Sequence, residues 1–380
     1  MVQGVYIYWK DVLSDDPTLD GVDNKVKDQI TLFNRQGLNC KLVVAPRANK
    51  PNRVLAMFPY LHDDAVVWPP MDALHGADYV YMRRPDLVSH EYIAWLKQVR
   101  STYPNIKIIY EIPTYPYDGE WVGLRDLHAR IKDSWNRRKL HEYVDHIADL
   151  SGHKEIFGIS TLPITNGVVL ARTPMRTPDR ERFSTSVDIL CVAYYSKWHG
   201  IDRFLHGMHN YYGDTHEPTN IRLHLVGGGD RRYIGKLKRL TNKYHLEDHV
   251  IFHGPVPRSE LGHYYDLADF AIESLGAHRR KVITYSYSIK SREYLAKGMP
   301  FIFSTPIDLE QYEPLPYCFK ASEDEVPIDV STLIDYYRAL YRRHDETEVA
   351  KRLRAYAERW VGLDRSLSSV IDYIKASGDE

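Results

Sequence analysis

Residues 223–230 read Leu-His-Leu-Val-Gly-Gly-Gly-Asp, an apolar run closed by three glycines and an acid just before a stretch with helical spacing. Glycines at a strand-to-helix turn let a ligand approach the backbone, and the free amides at a helix start favour phosphate. Gly227, Gly228 and Gly229 are therefore candidate phosphate ligands. A plain tight connection uses the same residues, and the spacing is neither a dinucleotide fingerprint nor a P-loop. Further along, Ser288-Ile289-Lys290-Ser291-Arg292-Glu293 opens another helix. A carboxylate at a helix start can accept both vicinal hydroxyls of a ribose, which makes Glu293 the first candidate for nucleoside contact. The plainer reading of Glu293 is an acid favoured by the helix dipole. A departing diphosphate needs positive charge or hydrogen-bond donors as its bond breaks. Lys197, Arg279, Arg280 and Lys290 are the cations available for that work, each with solvated surface charge as its alternative. Lys290 is the best placed, beside Ser288 and the backbone amides from Ile289 onward.

The elements that must hold these residues follow from the apolar periodicity. Val5–Trp9 reads as a first strand, and Val26, Ile30 and Phe33 repeat at helical spacing until Gly37. Cys40–Ala45, the Val54–Phe58 run, Tyr79–Met82, a helix over His90–Thr102 and the strand Ile106–Tyr110 continue the alternation. From about Leu124 to Leu150 the spacing predicts a helix with Leu127, Ile131 and Trp135 inward and Arg130, Arg137, Arg138 and Lys139 elsewhere. That basic cluster suits phosphate or lipid, or is a solvated face. Residues 171–186 are rich in Pro, Thr and charge without apolar period, and read as a linker. Beyond it the alternation restarts: strand Val187–Ala193, helix Arg203–Tyr212, strand Arg222–Val226, helix Tyr233–Tyr244, strand Val250–His253, helix Ser259–Leu267 and strand Phe270–Ser274. Leu333–Ile374 is helical, with a break at Gly362. Strands separated by helices imply α/β architecture with parallel sheets covered on both faces. A chain of 380 residues exceeds one core, which stops growing near about 250–300 residues, so two domains are expected, over 1–175 and 187–355, with helices over 356–380.

In this order the signals resemble the retaining glycosyltransferases of family 4, which have the two-domain GT-B fold. Val192–Arg203 is similar to the segment that closes on the donor phosphates, and the Val226–Asp230 turn follows it. Val250–Val256 with Tyr265–Asp269 resembles the stretch that holds the nucleotide base, which brings in Gly254 and Val256. Ser288–Pro300 looks like the second half of the family's E-x7-E motif. The closest likeness is to members that build bacterial surface polysaccharides. The resemblance implies two Rossmann-like domains facing a cleft, a nucleotide diphosphate sugar as donor, retention of configuration, and a ribose role for Glu293. It further implies that residues past Trp360 pack back on the first domain. Two departures stand out. Tyr285 occupies the place of the motif's first glutamate, so the transferred sugar must be recognised differently. The family's usual Arg and Lys on the closing segment align with Tyr194 and His199, leaving Lys197 and Arg203 as substitutes.

The N-terminal domain is expected to offer the acceptor surface, because doubly wound sheets bind ligands at the carboxyl ends of their strands. In the loop Glu111-Ile112-Pro113-Thr114-Tyr115-Pro116-Tyr117-Asp118-Gly119-Glu120, Asp118 or Glu120 could orient an acceptor hydroxyl and Tyr115 and Tyr117 could pack on a sugar ring. A rigid proline turn with solvated acids is the alternative. Gly21, at the first helix, could face the diphosphate or be an ordinary helix start. Lys and Arg number 50 against 51 Asp and Glu, so no strong field exists to hold a nucleic acid. The 3 cysteines stand far apart without metal spacing, the acidic pairs lack an Asp-x-Asp arrangement, and no HExxH occurs. Neither a cofactor nor a metal is expected. Reduced cysteines, the lack of a leader-like N-terminus and the lack of a spanning apolar run predict a cytoplasmic protein, with peripheral membrane contact left open by the basic helix. The expected acceptor is a saccharide or a lipid-linked saccharide. The rival readings are a non-catalytic sugar-nucleotide-binding subunit and a sugar-nucleotide epimerase on the same fold.

Overall fold

The computed structural model describes residues 2–9, 21–46, 66–118, 127–177, 186–280 and 284–376. They form two compact units, residues 1–165 with 363–380, and residues 166–362.

In the first unit β1 (Gly4–Tyr8), α1 (Gly21–Arg35), β2 (Cys40–Val44), β3 (Tyr79–Arg83), α2 (His90–Thr102), β4 (Lys107–Ile112), α3 (Leu127–Asn136) and β5 (His146–Asp149) are followed by the short β6 (Glu155–Ile156) and β7 (Ile159–Pro163). The sheet order is β2-β1-β3-β4-β5-β7-β6, parallel except for the β6–β7 pair. The expected Val54–Phe58 strand lies outside the described residues. Strands buried on both faces read as continuous apolar runs, and β4 (Lys-Ile-Ile-Tyr-Glu-Ile) shows the pattern, buried throughout except at Lys107. α2 begins as its sequence says it should, with the Ser89 hydroxyl accepting from the Tyr92 amide at 3.0 Å.

α3 departs from the expectation in two ways. It ends at Asn136, and His146–Asp149 is a strand rather than the last turn of the helix. Its faces are also reversed: Leu127, Ile131 and Trp135 are 48%, 48% and 51% exposed, while Lys132, Asp133 and Asn136 are buried. The cause is Asp133, whose carboxylate accepts from the Val88 amide at 2.8 Å, the Tyr117 hydroxyl at 3.0 Å and Arg137 at 3.2 Å. A buried carboxylate so held outweighs the gain from turning three apolar side chains inward.

In the second unit the elements are β8 (Ser186–Val192), α4 (Ile201–Asp214), β9 (Asn220–Val226), α5 (Arg231–Lys243), β10 (Val250–Gly254), α6 (Leu261–Leu267), β11 (Phe270–Ile272), α7 (Ile289–Lys297), β12 (Phe301–Phe303), β13 (Phe319–Lys320), α8 (Val330–Arg343) and α9 (Glu346–Trp360). All six strands are parallel, in the order β10-β9-β8-β11-β12-β13. The chain winds outward from β8 to β10, then returns beside β8 and winds the other way. The reversal between β8 and β11 is the point where such sheets bind ligands, at the carboxyl ends of the strands. The first residues of the expected linker, 171–177, pack on this unit: Arg176 donates to the carbonyls of Lys297 and Ala268, and the Thr177 amide to Asp266. The division of the chain thus falls nearer Thr165 than the 171–186 stretch. After Gly362, α10 (Leu363–Ser366) and α11 (Ser368–Lys375) belong to the first unit, where Asp364 pairs with Arg35 and the Tyr373 ring lies under Lys107. Both units are Rossmann-like α/β domains.

Candidate active site

Four segments meet at the carboxyl end of β8. The chain leaving β8 runs against the glycine turn, the Tyr195 amide donating to the Gly228 carbonyl at 2.7 Å and the Asp230 amide to the Tyr195 carbonyl at 2.8 Å. It then forms the short helical turn Lys197–His199, which is tied to the segment after β11 by Leu275 N to His199 O at 3.0 Å and Ser274 Oγ to Trp198 O at 2.6 Å. α7 closes the group: the Tyr294 hydroxyl accepts from the Val192 amide at 3.3 Å and donates to the Ile272 carbonyl at 3.2 Å.

The glycines are required by this contact. Gly227 has φ +124°, and a Cβ there would sit 2.0 Å from the Ala193 carbonyl oxygen; one on Gly229 would sit 2.4 Å from the Tyr195 oxygen. The turn is therefore both a tight connection and a bare backbone at the switch point. The Gly227 amide donates to Gly254 O at 2.7 Å, which binds the turn to the start of the Gly254–Val256 stretch. Gly227→Ala combines a positive φ with a backbone collision, and we expect a loss of about 2–4 kcal/mol in unfolding free energy, read from urea denaturation.

α7 is capped by Ser288, whose hydroxyl accepts from the Lys290 amide at 3.1 Å and is occupied in that role. Arg292 is fully buried and ties this start down, pairing with Asp308 and donating to the carbonyls of Ser288 and Asn166. Ile289 and Lys290 are half-buried. Burial raises the pKa of the Cys191 thiol, and the Lys290 charge partly offsets it. His199 is buried, and burial followed by the Lys290 charge holds its pKa well below the usual imidazole value. Its Nδ1 accepts from the Ser196 amide at 3.0 Å, so the neutral ring carries its proton on Nε2. The residue aligned with a family cation is thus a neutral hydrogen-bond donor.

Glu293 lies in the second turn of α7 rather than at its start, so the helix dipole does not account for it. Its carboxylate accepts from the Tyr265 hydroxyl at 3.4 Å and lies 3.8 Å from Arg258, which places it toward the segment after β10. Under that segment a polar chain crosses the sheet: Arg222 grips buried Asp188 with two bonds of 2.7 Å, His224 meets the same carboxylate at 2.9 Å, and His253 meets His224 at 3.0 Å.

Two of the proposed cations are occupied elsewhere. Arg203 is buried and donates to the carbonyls of Val326 and Ser322 at 2.8 and 3.0 Å, to the carbonyl of Leu275, and to Asp324 at 3.0 Å, so it clamps loops and cannot serve as a phosphate ligand without breaking them. Arg279 is shared among Glu325, Asp202 and the Lys197 carbonyl. Burial raises the Asp202 pKa, but Arg279 and Lys236 outweigh it and hold the carboxyl down at about 2. Lys197 is exposed, as is Arg280, which lies 4.4 Å over the Trp198 ring.

In the first unit, Tyr117 corrects an expectation. Its ring is fully buried, its hydroxyl donates to Asp133, and Arg84 covers one face at 4.1 Å, so it cannot pack on a sugar. Tyr115 is half-buried against His153 and Phe157, and Asp118 pairs with Arg137 at 3.0 Å. Gly21 is the first residue of α1, and Glu120 lies outside the described residues.

Sequence reasoning passed over Glu273. It follows β11 at the switch point, is fully buried, accepts from the Ser286 hydroxyl at 3.1 Å through Oε1, and has no hydrogen-bond partner at Oε2. The sequence signal was a glutamate closing the otherwise apolar run Phe270-Ala271-Ile272.

Residues 186–311 match the family model of the group 1 glycosyl transferases. That span opens on β8 and closes beyond β12, so it contains every segment of the constellation just described. A stretch of 82 residues is 34% identical to the alpha-monoglucosyldiacylglycerol synthase of Streptococcus pneumoniae, covering 21% of this chain and 18% of the length of that curated relative. Over whole chains the fold is similar to that of sucrose-phosphate synthase from Thermosynechococcus elongatus, with a TM-score of 0.66, 15% identity and 99% of each chain covered. It is also similar to that of Anabaena HepE solved in complex with UDP and glucose, with a TM-score of 0.64, 12% identity and 99% of this chain and 100% of that one covered. At such identities the likeness is one of fold, and the fold is GT-B. The group 1 domain on that fold supports a glycosyltransferase.

Proposed function

We propose that the chain is a retaining glycosyltransferase of family 4 that moves a sugar from a nucleotide diphosphate donor to a saccharide or lipid-linked saccharide. The supporting observation is the meeting of the glycine turn, the Ser196–His199 turn and the capped start of α7 with Lys290 at the β8/β11 switch point. The diphosphate lies along the amides of Gly228, Gly229 and the start of α7, with Lys290, Lys197 and the Nε2 proton of His199 taking up the negative charge that develops as the glycosidic bond breaks. These donors compensate the charge without a resident metal or cofactor. Glu293 accepts the two ribose hydroxyls, and the base lies beside Gly254 and Val256. The leaving phosphate itself accepts the proton of the incoming hydroxyl on the same face of the sugar, which gives retention. Asp118 and Tyr115 orient the acceptor. HepE in complex with UDP and glucose, and the lipid named in the pneumococcal relative, support a nucleotide-sugar donor and keep a lipid-linked acceptor in view.

Glu293→Ala is the direct test of the nucleoside contact. Hydrogen bonds to a charged group contribute about 1.5–3 kcal/mol, so nucleotide affinity should fall roughly 10- to 100-fold. In a melting-temperature screen across nucleoside diphosphates and their sugars, the stabilisation seen for the correct nucleotide should vanish. An undiminished shift would remove the ribose assignment.

The engagement of Arg203 and Arg279 with internal acceptors favours one second reading, a subunit that binds sugar nucleotide without turning it over. Binding without transfer or donor hydrolysis over a broad acceptor panel would select it.

A further inference from the structure

We propose that the outward face of α3 is a docking surface for an anionic lipid bilayer. Seven large apolar or aromatic side chains are exposed among the described residues, and three of them, Leu127, Ile131 and Trp135, lie on this one helix. Their spacing of four residues sets them in one stripe about 12 Å long. Arg130 is exposed on the same helix, and Arg138 and Lys139 are exposed on the short helical turn Arg137–Glu142 that follows it. The acid between positions 127 and 139 is Asp133, and it is buried beneath the helix in bonds to Val88, Tyr117 and Arg137. Those bonds fix the helix from below, so it cannot roll its apolar stripe inward without leaving a carboxylate unsatisfied.

A stripe of Leu, Ile and Trp with Arg130, Arg138 and Lys139 near it, against one exposed acid, Glu142, on the following turn, is a composition that settles at the boundary of headgroups and acyl chains. The cations meet lipid phosphates, and Trp135 lies at headgroup depth. The charge is local, because Lys and Arg total 50 against 51 Asp and Glu over the whole chain. A bilayer accepts such a stripe without a complementary pocket, whereas a stable protein interface needs about 800 Å² on each partner, more than one ten-residue helix face provides. No described helix is long and apolar enough to cross a membrane, so the contact lies at its surface. The inference stands on the first unit alone and is independent of the proposed activity.

The experiment is flotation of the full chain with vesicles of phosphatidylcholine alone and of phosphatidylcholine with phosphatidylglycerol. Wild type should float with the anionic vesicles, only weakly with the neutral ones, and release as salt rises. Each cation near an anionic surface changes partitioning about fivefold, so Arg138→Glu/Lys139→Glu should cut binding at least about tenfold. Ile131→Ser/Trp135→Ser should do the same on the apolar side. Both variants change exposed side chains, and both should keep the melting temperature and the nucleotide-induced shift of wild type. Failure of wild type to float, equal binding to neutral and anionic vesicles, or full binding by both variants would overturn the proposal. So would a change from dimer to monomer in the variants by light scattering with vesicle binding unaltered, because that face would then hold a second copy of the chain.

Discussion

Lys290→Ala is expected to lower kcat by about 10²–10³ while changing the KM for the donor much less. Negative charge on the diphosphate grows as the sugar departs, so a cation placed there stabilises the transition state more than the bound donor. Removing a single donor of that kind typically costs about 3–4 kcal/mol in the barrier. Lys290 differs from the other cations of the region in where it stands. Arg203 and Arg279 are held by acceptors of the fold, and Arg280 and Lys197 are exposed. Lys290 is half-buried at the first turn of α7, where its charge reaches both Cys191 at the end of β8 and His199. Two variants sharpen the reading. Lys290→Arg keeps the charge with a different shape and should recover part of the rate, because a guanidinium does not reproduce a compact ammonium. Arg280→Ala should have a small effect, since an exposed cation is screened. On the proposed mechanism rates should be unaffected by a strong chelator, because Lys290, Lys197 and the His199 proton are assigned the charge that a metal would otherwise meet. A Lys290→Ala enzyme with wild-type kcat and a raised KM would reduce the lysine to a ground-state binder. A chelator-sensitive rate would remove the metal-free mechanism.

The residues that could be read correctly from sequence are those whose local chemistry dictates their place. The run Val187–Ala193 is short, apolar and rich in β-branched residues, Arg222–Val226 alternates Arg222 and His224 with Leu223 and Leu225, and three glycines follow directly, so two strands and a tight connection could be read there. α2 carries its own start at Ser89 and ends as expected at Thr102. Where reading failed, a polar residue had a distant partner. α1 was expected to pack through Val26, Ile30 and Phe33, yet it also buries Asp23 and Gln29 against the tyrosines of β1. Asp133 turned α3 over through Val88 and Tyr117, which are far away in sequence. Arg203 looked like a phosphate ligand because its acceptors lie about seventy and more than a hundred residues downstream. Glu273 was invisible for the same reason, since a glutamate ending an apolar strand has meaning only once Ser286 is beside it. Periodicity reports which face is apolar, and it is silent on long-range polar satisfaction, which decided each of these cases.

Glu111 shows how strong such satisfaction can be, and Glu111→Ala is expected to destabilise the first unit by about 3–5 kcal/mol. Glu111 is the penultimate residue of β4, and its carboxylate is fully buried and held by four partners: Lys25 at 2.9 Å and Arg83 at 2.8 Å on Oε1, with Gln29 at 3.0 Å and the Tyr81 hydroxyl at 2.6 Å on Oε2. Burial raises its pKa, but the charges of Lys25 and Arg83 outweigh burial and bring it to about 2. Truncation to alanine leaves two cations facing each other with no anion between them. A depressed carboxyl pKa means that the unfolded chain binds a proton more readily than the folded one below about pH 4.5. The contribution is therefore complete above that pH and is lost as pH falls toward 2, and a depression of this size corresponds to roughly 3 kcal/mol. Urea unfolding of wild type from pH 7 to pH 3 should show that decline. Glu111→Gln should be less stable at pH 7 but flatter across the acid range, because the titrating group is gone and an amide still accepts from Tyr81. If the variant lost stability with pH as steeply as wild type, another carboxylate would be carrying the dependence. If alanine were tolerated, the cations would have to be meeting other acceptors than the one in which they are seen to converge.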